Sequence, residues 1–254
     1  MSKEQPQGRS PFRWLLLLAP ALMGLTGCSK VSGLGFEENL SSVNDISLSL
    51  WQGAWIAAGV VGVITLILIL WPAIFHRKKV GGPEFPKQTQ YNVPVEIAYT
   101  IIPFIIVAVL FYFTAVKQNE ITEKSPSTVA HEIGVEGIQW SWQFSYPEAG
   151  PKAVVTGTPA QPPTLYVPLG ERVRYTITAN DVVHGFWIPA FMIQIQNLPG
   201  VTNYIEFTAN KLGSFPGRCN ILCGRNHTQM IFTVKVVTPA EYQSYLETLK
   251  GAAL

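Results

Sequence analysis

The 254-residue sequence is short of charge: 13% of its residues are Asp, Glu, Lys or Arg, against roughly 25% in an ordinary soluble domain. Its 18 basic and 16 acidic residues leave a formal net charge of +2. Without a clustered basic excess a nucleic-acid-binding surface is excluded, and a hydrophobic content of 48% excludes a disordered chain. Cysteine is scarce too. Three residues are too few for a disulfide scaffold, and their spacing is uneven, with Cys28 alone and Cys219 and Cys223 four apart. No internal repeat or low-complexity segment is found. These absences leave a membrane-associated chain with enough length for one or two domains.

Long hydrophobic runs are what the sequence does have. Residues 14–29 carry no charge, follow Arg9 and Arg13, and contain a twelve-residue apolar run from Trp14 to Leu25. That run falls short of the roughly 20 residues a bilayer span needs, and small residues crowd its end, so residues 1–27 are expected to be a signal peptide. The ending Leu25-Thr26-Gly27-Cys28 resembles a bacterial lipobox, which implies cleavage before Cys28 and a lipid on its sulfur. An ordinary secretory signal followed by a chance cysteine is the alternative. Residues 28–49 would then form an exported N-terminal segment.

From Ile46 to Phe75 thirty residues carry no formal charge, with Trp51, Trp55 and Trp71 at the borders of the apolar core. This predicts a transmembrane helix over 50–75 with interfacial aromatics. A second charge-free stretch of twenty residues, Ile97 to Val116, predicts another over 96–117; Pro103 inside it is tolerated in lipid as a kink. The connection, 76–95, holds His76, Arg77, Lys78, Lys79 and Lys87 against Glu84, and so is expected to be cytoplasmic. Both ends of a two-pass protein of a bacterial cell membrane then face the extracytoplasmic side, in agreement with an exported N-terminus.

After Val116 the pattern changes. Val173, Tyr175 and Ile177 alternate with Arg172, Arg174, Thr176 and Thr178, residues 230–237 alternate again, and Pro and Gly punctuate the runs. Residues 118–254 are expected to form an all-β sandwich or small barrel. Thr238-Pro239-Ala240-Glu241 reads as a capping box opening a short C-terminal helix, with Tyr242, Tyr245, Leu246 and Leu249 on its inner face. The fold class is a membrane-anchored all-β protein behind a two-helix hairpin.

One loop carries chemistry. Cys219-Asn-Ile-Leu-Cys223-Gly-Arg-Asn-His227-Thr-Gln-Met230 offers two thiols, an imidazole and a thioether, and His184 stands thirty-five residues upstream of Cys219 at the end of a strand. This is a soft donor set suited to copper, and the methionine sets it apart from structural zinc sites. A mononuclear blue-copper centre needs one cysteine. Two bridging sulfurs between two coppers would use both, give each metal one histidine and leave Met230 to one of them, which points to a binuclear copper electron carrier. A disulfide between the cysteines or a zinc ion remains as an alternative. His76 and His131 have no ligand types beside them and are expected to be surface residues.

The copper loop, Asp181-Val-Val-His184, Leu198-Pro199-Gly200, the aromatic run Gly137-Ile-Gln-Trp140-Ser-Trp142-Gln-Phe144-Ser-Tyr146 and Glu96-Ile-Ala-Tyr-Thr-Ile-Ile-Pro103 occur in this order. Together they resemble subunit II of an A-type haem-copper cytochrome c oxidase, of bacterial and in particular actinobacterial kind. The resemblance covers essentially the whole chain after the signal peptide. It implies a cupredoxin-like domain that takes single electrons from cytochrome c at a binuclear copper A centre and relays them to haem a in subunit I, where oxygen is reduced and protons are pumped. Haem a and CuB would belong to that partner, subunit III would complete the enzyme, and this chain would not be catalytic alone.

Laid on these positions, the resemblance implies His184, Cys219, Cys223, His227 and Met230 as copper ligands, with a backbone carbonyl from Ile221. The family usually has Glu there, whose carboxylate also reaches a magnesium ion; Ile221 keeps the carbonyl and loses the carboxylate, so no magnesium site is assigned. Trp140 matches the tryptophan through which electrons arrive and is assigned that role on the motif match; Trp140, Trp142, Phe144 and Tyr146 share one face in period two, so some of them pack as strand core. Glu96 matches a carboxylate near a proton-uptake channel, or is a helix N-terminal charge. Asp181 matches a docking acid, while Gln196 stands where an acid is common. With 10 acids and 9 bases in residues 118–254, long-range steering of a basic partner should be weak, and the expected donor is a membrane-bound or cytochrome bc complex-resident cytochrome c. The alternatives are the copper subunit of a nitric oxide reductase, a copper-free quinol oxidase subunit, and a copper chaperone. The complete ligand set argues against the second, and cysteines fixed in a rigid β-domain argue against the third.

Overall fold

Two long apolar helices come first, α1 (Asn44–Phe75) and α2 (Val93–Thr122). They belong to a computed structural model that describes residues 35–77, 81–85, 88–124 and 129–252; the expected signal peptide and Cys28 lie outside the described residues. With 32 and 30 residues the helices measure about 48 and 45 Å, more than the ~30 Å of a hydrocarbon core. Both are long and apolar enough to cross a membrane, and their apolar windows are not buried within the chain. Pro72 and Pro103 sit inside them without ending them. At the start of α2, Asn92 Oδ1 accepts from the Val95 N–H (3.4 Å) and Glu96 Oε1 accepts from the Asn92 N–H (3.1 Å). Glu96 therefore caps a helix terminus, where a negative charge also meets the favourable end of the dipole.

The surplus length lies at one end of the hairpin and docks on the β-domain. Asn44 and Leu48 of α1 are buried, and Ile121 of α2 packs on the core. The segment ahead of α1 joins them: the Ser42 N–H donates to Thr208 O (2.9 Å), the Asn210 N–H donates to Leu40 O (3.0 Å), and Leu40 and Val43 are buried. The start of α1 and the end of α2 thus share one side with the β-domain.

That domain contains β1 (His131–Ile138), β2 (Ser141–Ser145), β3 (Val154–Thr156), β4 (Thr164–Pro168), β5 (Arg172–Ala179), β6 (His184–Ile188), β7 (Ile193–Asn197), β8 (Asn203–Thr208), β9 (Gly213–Cys219) and β10 (Ile231–Val237). One sheet runs β3-β2-β1-β5-β8 and the other β4-β10-β9-β6-β7. β1 with β5 and β4 with β10 are parallel, and the remaining pairs are antiparallel. Val173, Tyr175 and Ile177 are buried, as the alternation requires, while Arg172 and Arg174 turn outward and both donate to Glu206 (2.9 and 2.7 Å). Between the sheets Phe232 stacks on Phe186 at 5.0 Å and meets Trp142 and Phe144 edge-on at 5.3 and 5.6 Å. Each such buried ring contributes about 1.5–3 kcal/mol, so this cluster anchors the strands that carry the metal loop.

The C-terminal helix, α3 (Pro239–Ala252), opens on the expected box: the Glu241 carboxylate accepts from the Thr238 N–H (2.9 Å), and the Glu241 N–H donates to Thr238 Oγ1 (3.3 Å). His131 departs from expectation. It is buried, with Nδ1 2.8 Å from Glu148 Oε2, Nε2 2.8 Å from Glu171 Oε2 and its ring edge-on to Tyr242 of α3. Its acidic partners are 17 and 40 residues away in sequence, so nothing local marks it as an interior residue.

Candidate metal centre

Register brings the donors together. The loop between β9 and β10 is closed at its base by the Cys219 N–H donating to Met230 O (2.9 Å). On the other side of β9, Phe186 of β6 pairs with Cys219. His184, the first residue of β6, lies two residues from Phe186 and so on the same face as Phe186, beside that cysteine. His184, Cys219, Cys223 and Met230 are all buried. The donor atoms of His184, Cys219 and Cys223 lie within 4.8 Å of one another. The two sulfurs are 3.8 Å apart and unbonded. Ile221 O is 3.2 Å from Cys219 Sγ, His227 Nδ1 is 3.6 Å from Cys223 Sγ, and Met230 Sδ is 3.7 Å from Cys223 Sγ.

The two sulfurs are therefore not a disulfide but a pair close enough for both to touch one ion at the ~2.3 Å usual for a metal–thiolate bond. His184 supplies the sharpest indication. Its Nε2 is 2.8 Å from Asp181 Oδ1, whereas its Nδ1 is buried without a hydrogen-bond partner. A carboxylate can only accept, so Nε2 carries a proton; in the neutral imidazole, the form that binds a metal, Nδ1 then holds the lone pair, the arrangement of a metal-ligating histidine held by an outer carboxylate. Burial opposes a charge on Asp181, but donors from His184, Val182 and Gln139 outweigh it and hold its carboxyl below the usual range. Burial likewise opposes a thiolate at Cys219, yet His184, the backbone of Gly185 and Ile221, and Cys223 bring that thiol down to about 6. Cys223, raised by burial and then by the charge on Cys219, is pushed up to about 12. The soft donors, the orphaned nitrogen and the buried setting fit copper.

Trp142, Phe144 and Tyr146 are core. Trp140 stands apart in the turn between β1 and β2, half-buried, and its Nε1–H donates to Cys223 O (3.2 Å). The structure thus brings Trp140, Asp181, His184, Cys219, Ile221, Cys223, His227 and Met230 to one place; Glu96 is at the start of α2, away from it.

A family model described as cytochrome C oxidase subunit II, periplasmic domain, matches residues 161–237. The probable cytochrome c oxidase subunit 2 of Streptomyces avermitilis is 38% identical in an alignment covering 95% of this chain and 88% of the relative. The chain belongs to the cytochrome c oxidase subunit II family. Another member, cytochrome c oxidase subunit 2 of Mycobacterium tuberculosis, is 33% identical over 97% of this chain and 86% of its own length. The crystal structure of the periplasmic domain of subunit II of cytochrome oxidase (CoxB) of Bradyrhizobium japonicum is 30% identical, covering 51% of this chain and 100% of that one, with a TM-score of 0.44. As a subunit II with two apolar helices, the chain is a two-pass membrane protein.

The sequence picks out the candidate donors that the fold of this subunit II brings together, but not what holds them. Gln139 donates through its backbone N–H to Asp181 Oδ2 (2.6 Å) and through Nε2 to Cys223 O (2.8 Å). These partners are 42 and 84 residues distant, and no spacing rule reaches that far.

Proposed function

We propose that this chain is the electron-accepting subunit of a respiratory cytochrome c oxidase, with its β-domain on the extracytoplasmic face of a bacterial cell membrane. His184, Cys219, Cys223, His227, Met230 and the carbonyl of Ile221 would hold two coppers, which supply, when bound, a one-electron store shared between two ions. Trp140 would receive the electron from cytochrome c, and its N–H bond to the Cys223 carbonyl leads to the sulfur of that cysteine within one residue. The electron would pass on to haem a of subunit I, the subunit that would carry CuB, oxygen reduction and proton pumping. Cys219 ends β9, Met230 stands directly before β10 and His184 opens β6, so three of these ligands are set by strand ends, and Cys223 is held through its carbonyl by Gln139 and Trp140.

The observation that carries this reading is the buried, unpartnered Nδ1 of His184 beside two free thiols. The uncovered apolar faces of α1 and α2 and the charge-poor β-domain support coverage by lipid and by subunits I and III. In this reading the basic connection between the helices is cytoplasmic, Cys28 carries a lipid after signal cleavage, Glu96 stands at the cytoplasmic approach to proton uptake, and the donor is a membrane-bound or complex-resident cytochrome c. Asp181, expected to meet that donor, has both oxygens engaged by Gln139, Val182 and His184, and orienting His184 is its part here. Metal analysis of Cys219→Ser and Cys223→Ser tests the bridging role: each variant should lose the binuclear site, and a variant retaining both coppers would contradict it.

A further inference from the structure

We propose that Gln139 is a positioning residue that fixes the electron-receiving ring of Trp140 against the copper loop. The inference rests on the copper reading above. The metal donors all come from β6, β9 and the loop ahead of β10, in the second sheet, whereas Trp140 follows β1, in the first. The distance between ring and ligands thus depends on a junction between two sheets, and Gln139 occupies it. Its side-chain Nε2 donates to Cys223 O at 2.8 Å, beside the Trp140 Nε1–H on the same oxygen at 3.2 Å; a carbonyl has lone pairs for both. Its backbone N–H donates to Asp181 Oδ2 at 2.6 Å, and the other oxygen of Asp181 faces His184 Nε2 at 2.8 Å. One residue thereby braces a cysteine ligand directly and a histidine ligand through Asp181.

Two glycines show how closely the end of β1 is fitted to these ligands. Gly224 has φ +122°, and a Cβ on it would fall 2.9 Å from Trp140 Nε1 and 3.2 Å from Gln139 Nε2. Only glycine lets both donors reach the carbonyl just before it. A Cβ on Gly137 would fall 2.7 Å from Cδ2 of His184, so β1 passes directly against that imidazole.

The test uses the full chain, purified from membranes with its partner subunits, as wild type, Gln139→Leu and Gln139→Ala, with Gly224→Ala as a variant that displaces the same donors from the other side. Copper content, the copper hyperfine pattern and the rate of reduction by cytochrome c are measured. Gln139→Leu should keep wild-type copper content, alter the hyperfine couplings and slow reduction by about tenfold, the lower end of what outer partners of a metal site contribute; Gln139→Ala and Gly224→Ala should act in the same direction. Variants with copper content, hyperfine pattern and reduction rate all as in wild type would overturn the inference alone. A wild type without copper would overturn the copper reading and this inference with it.

Discussion

Nε2 of His184 lies 2.8 Å from Oδ1 of Asp181, and in the neutral imidazole this contact leaves Nδ1 as the nitrogen with the lone pair. With Nε2 protonated, Nδ1 is the only basic atom of the ring, and it is buried with no partner in the protein. A buried polar atom left unpaired costs about 1–3 kcal/mol, which a metal bond at that nitrogen would offset.

The first prediction follows from this pair. Asp181→Ala should weaken copper binding about 10- to 100-fold, as loss of an outer carboxylate does elsewhere, and Asp181→Asn, which keeps an acceptor oxygen, should be milder. Competition against a chelator measures both. Unchanged copper affinity together with a salt-dependent loss of donor binding would return Asp181 to a docking role.

His131 makes a second prediction, on stability. Its two nitrogens each face a glutamate and its ring lies against Tyr242. Replacing it with Leu leaves Glu148 and Glu171 without that partner and should cost about 1–3 kcal/mol, read as a lowered denaturation midpoint with faster amide exchange in α3. An unchanged midpoint would show that the carboxylates find equivalent partners in solvent.

The contrast between these two histidines shows what was legible in the sequence. The candidate metal loop stands out in the sequence because four soft donors lie within twelve consecutive residues, Cys219 to Met230, and ligand chemistry restricts what such a cluster is for. β5 could be read because alternation maps directly onto its two faces, and α3 because its cap is local. His131, the engagement of Asp181 and the bracing by Gln139 all depend on strands that meet only after folding. Trp140 is intermediate: spacing placed it with Trp142, Phe144 and Tyr146, but the turn between β1 and β2 moves it off the core face that they fill.

A third prediction concerns the donor. With charges nearly balanced over residues 118–254, the β-domain should exert little long-range attraction on a basic protein. Oxidation of a soluble basic cytochrome c by the intact oxidase should be slow and change little with ionic strength. Fast turnover that collapses as salt rises would contradict a membrane-bound or complex-resident donor.

The central claim is that two sulfurs, two imidazoles and a thioether in this domain hold a pair of coppers sharing one electron. Electron paramagnetic resonance of the partly oxidised protein, combined with metal analysis, tests it most directly. The account predicts two coppers per chain and a hyperfine pattern from an electron delocalised equally over two copper nuclei; a pattern from a single copper nucleus, or zinc in place of copper, would contradict it.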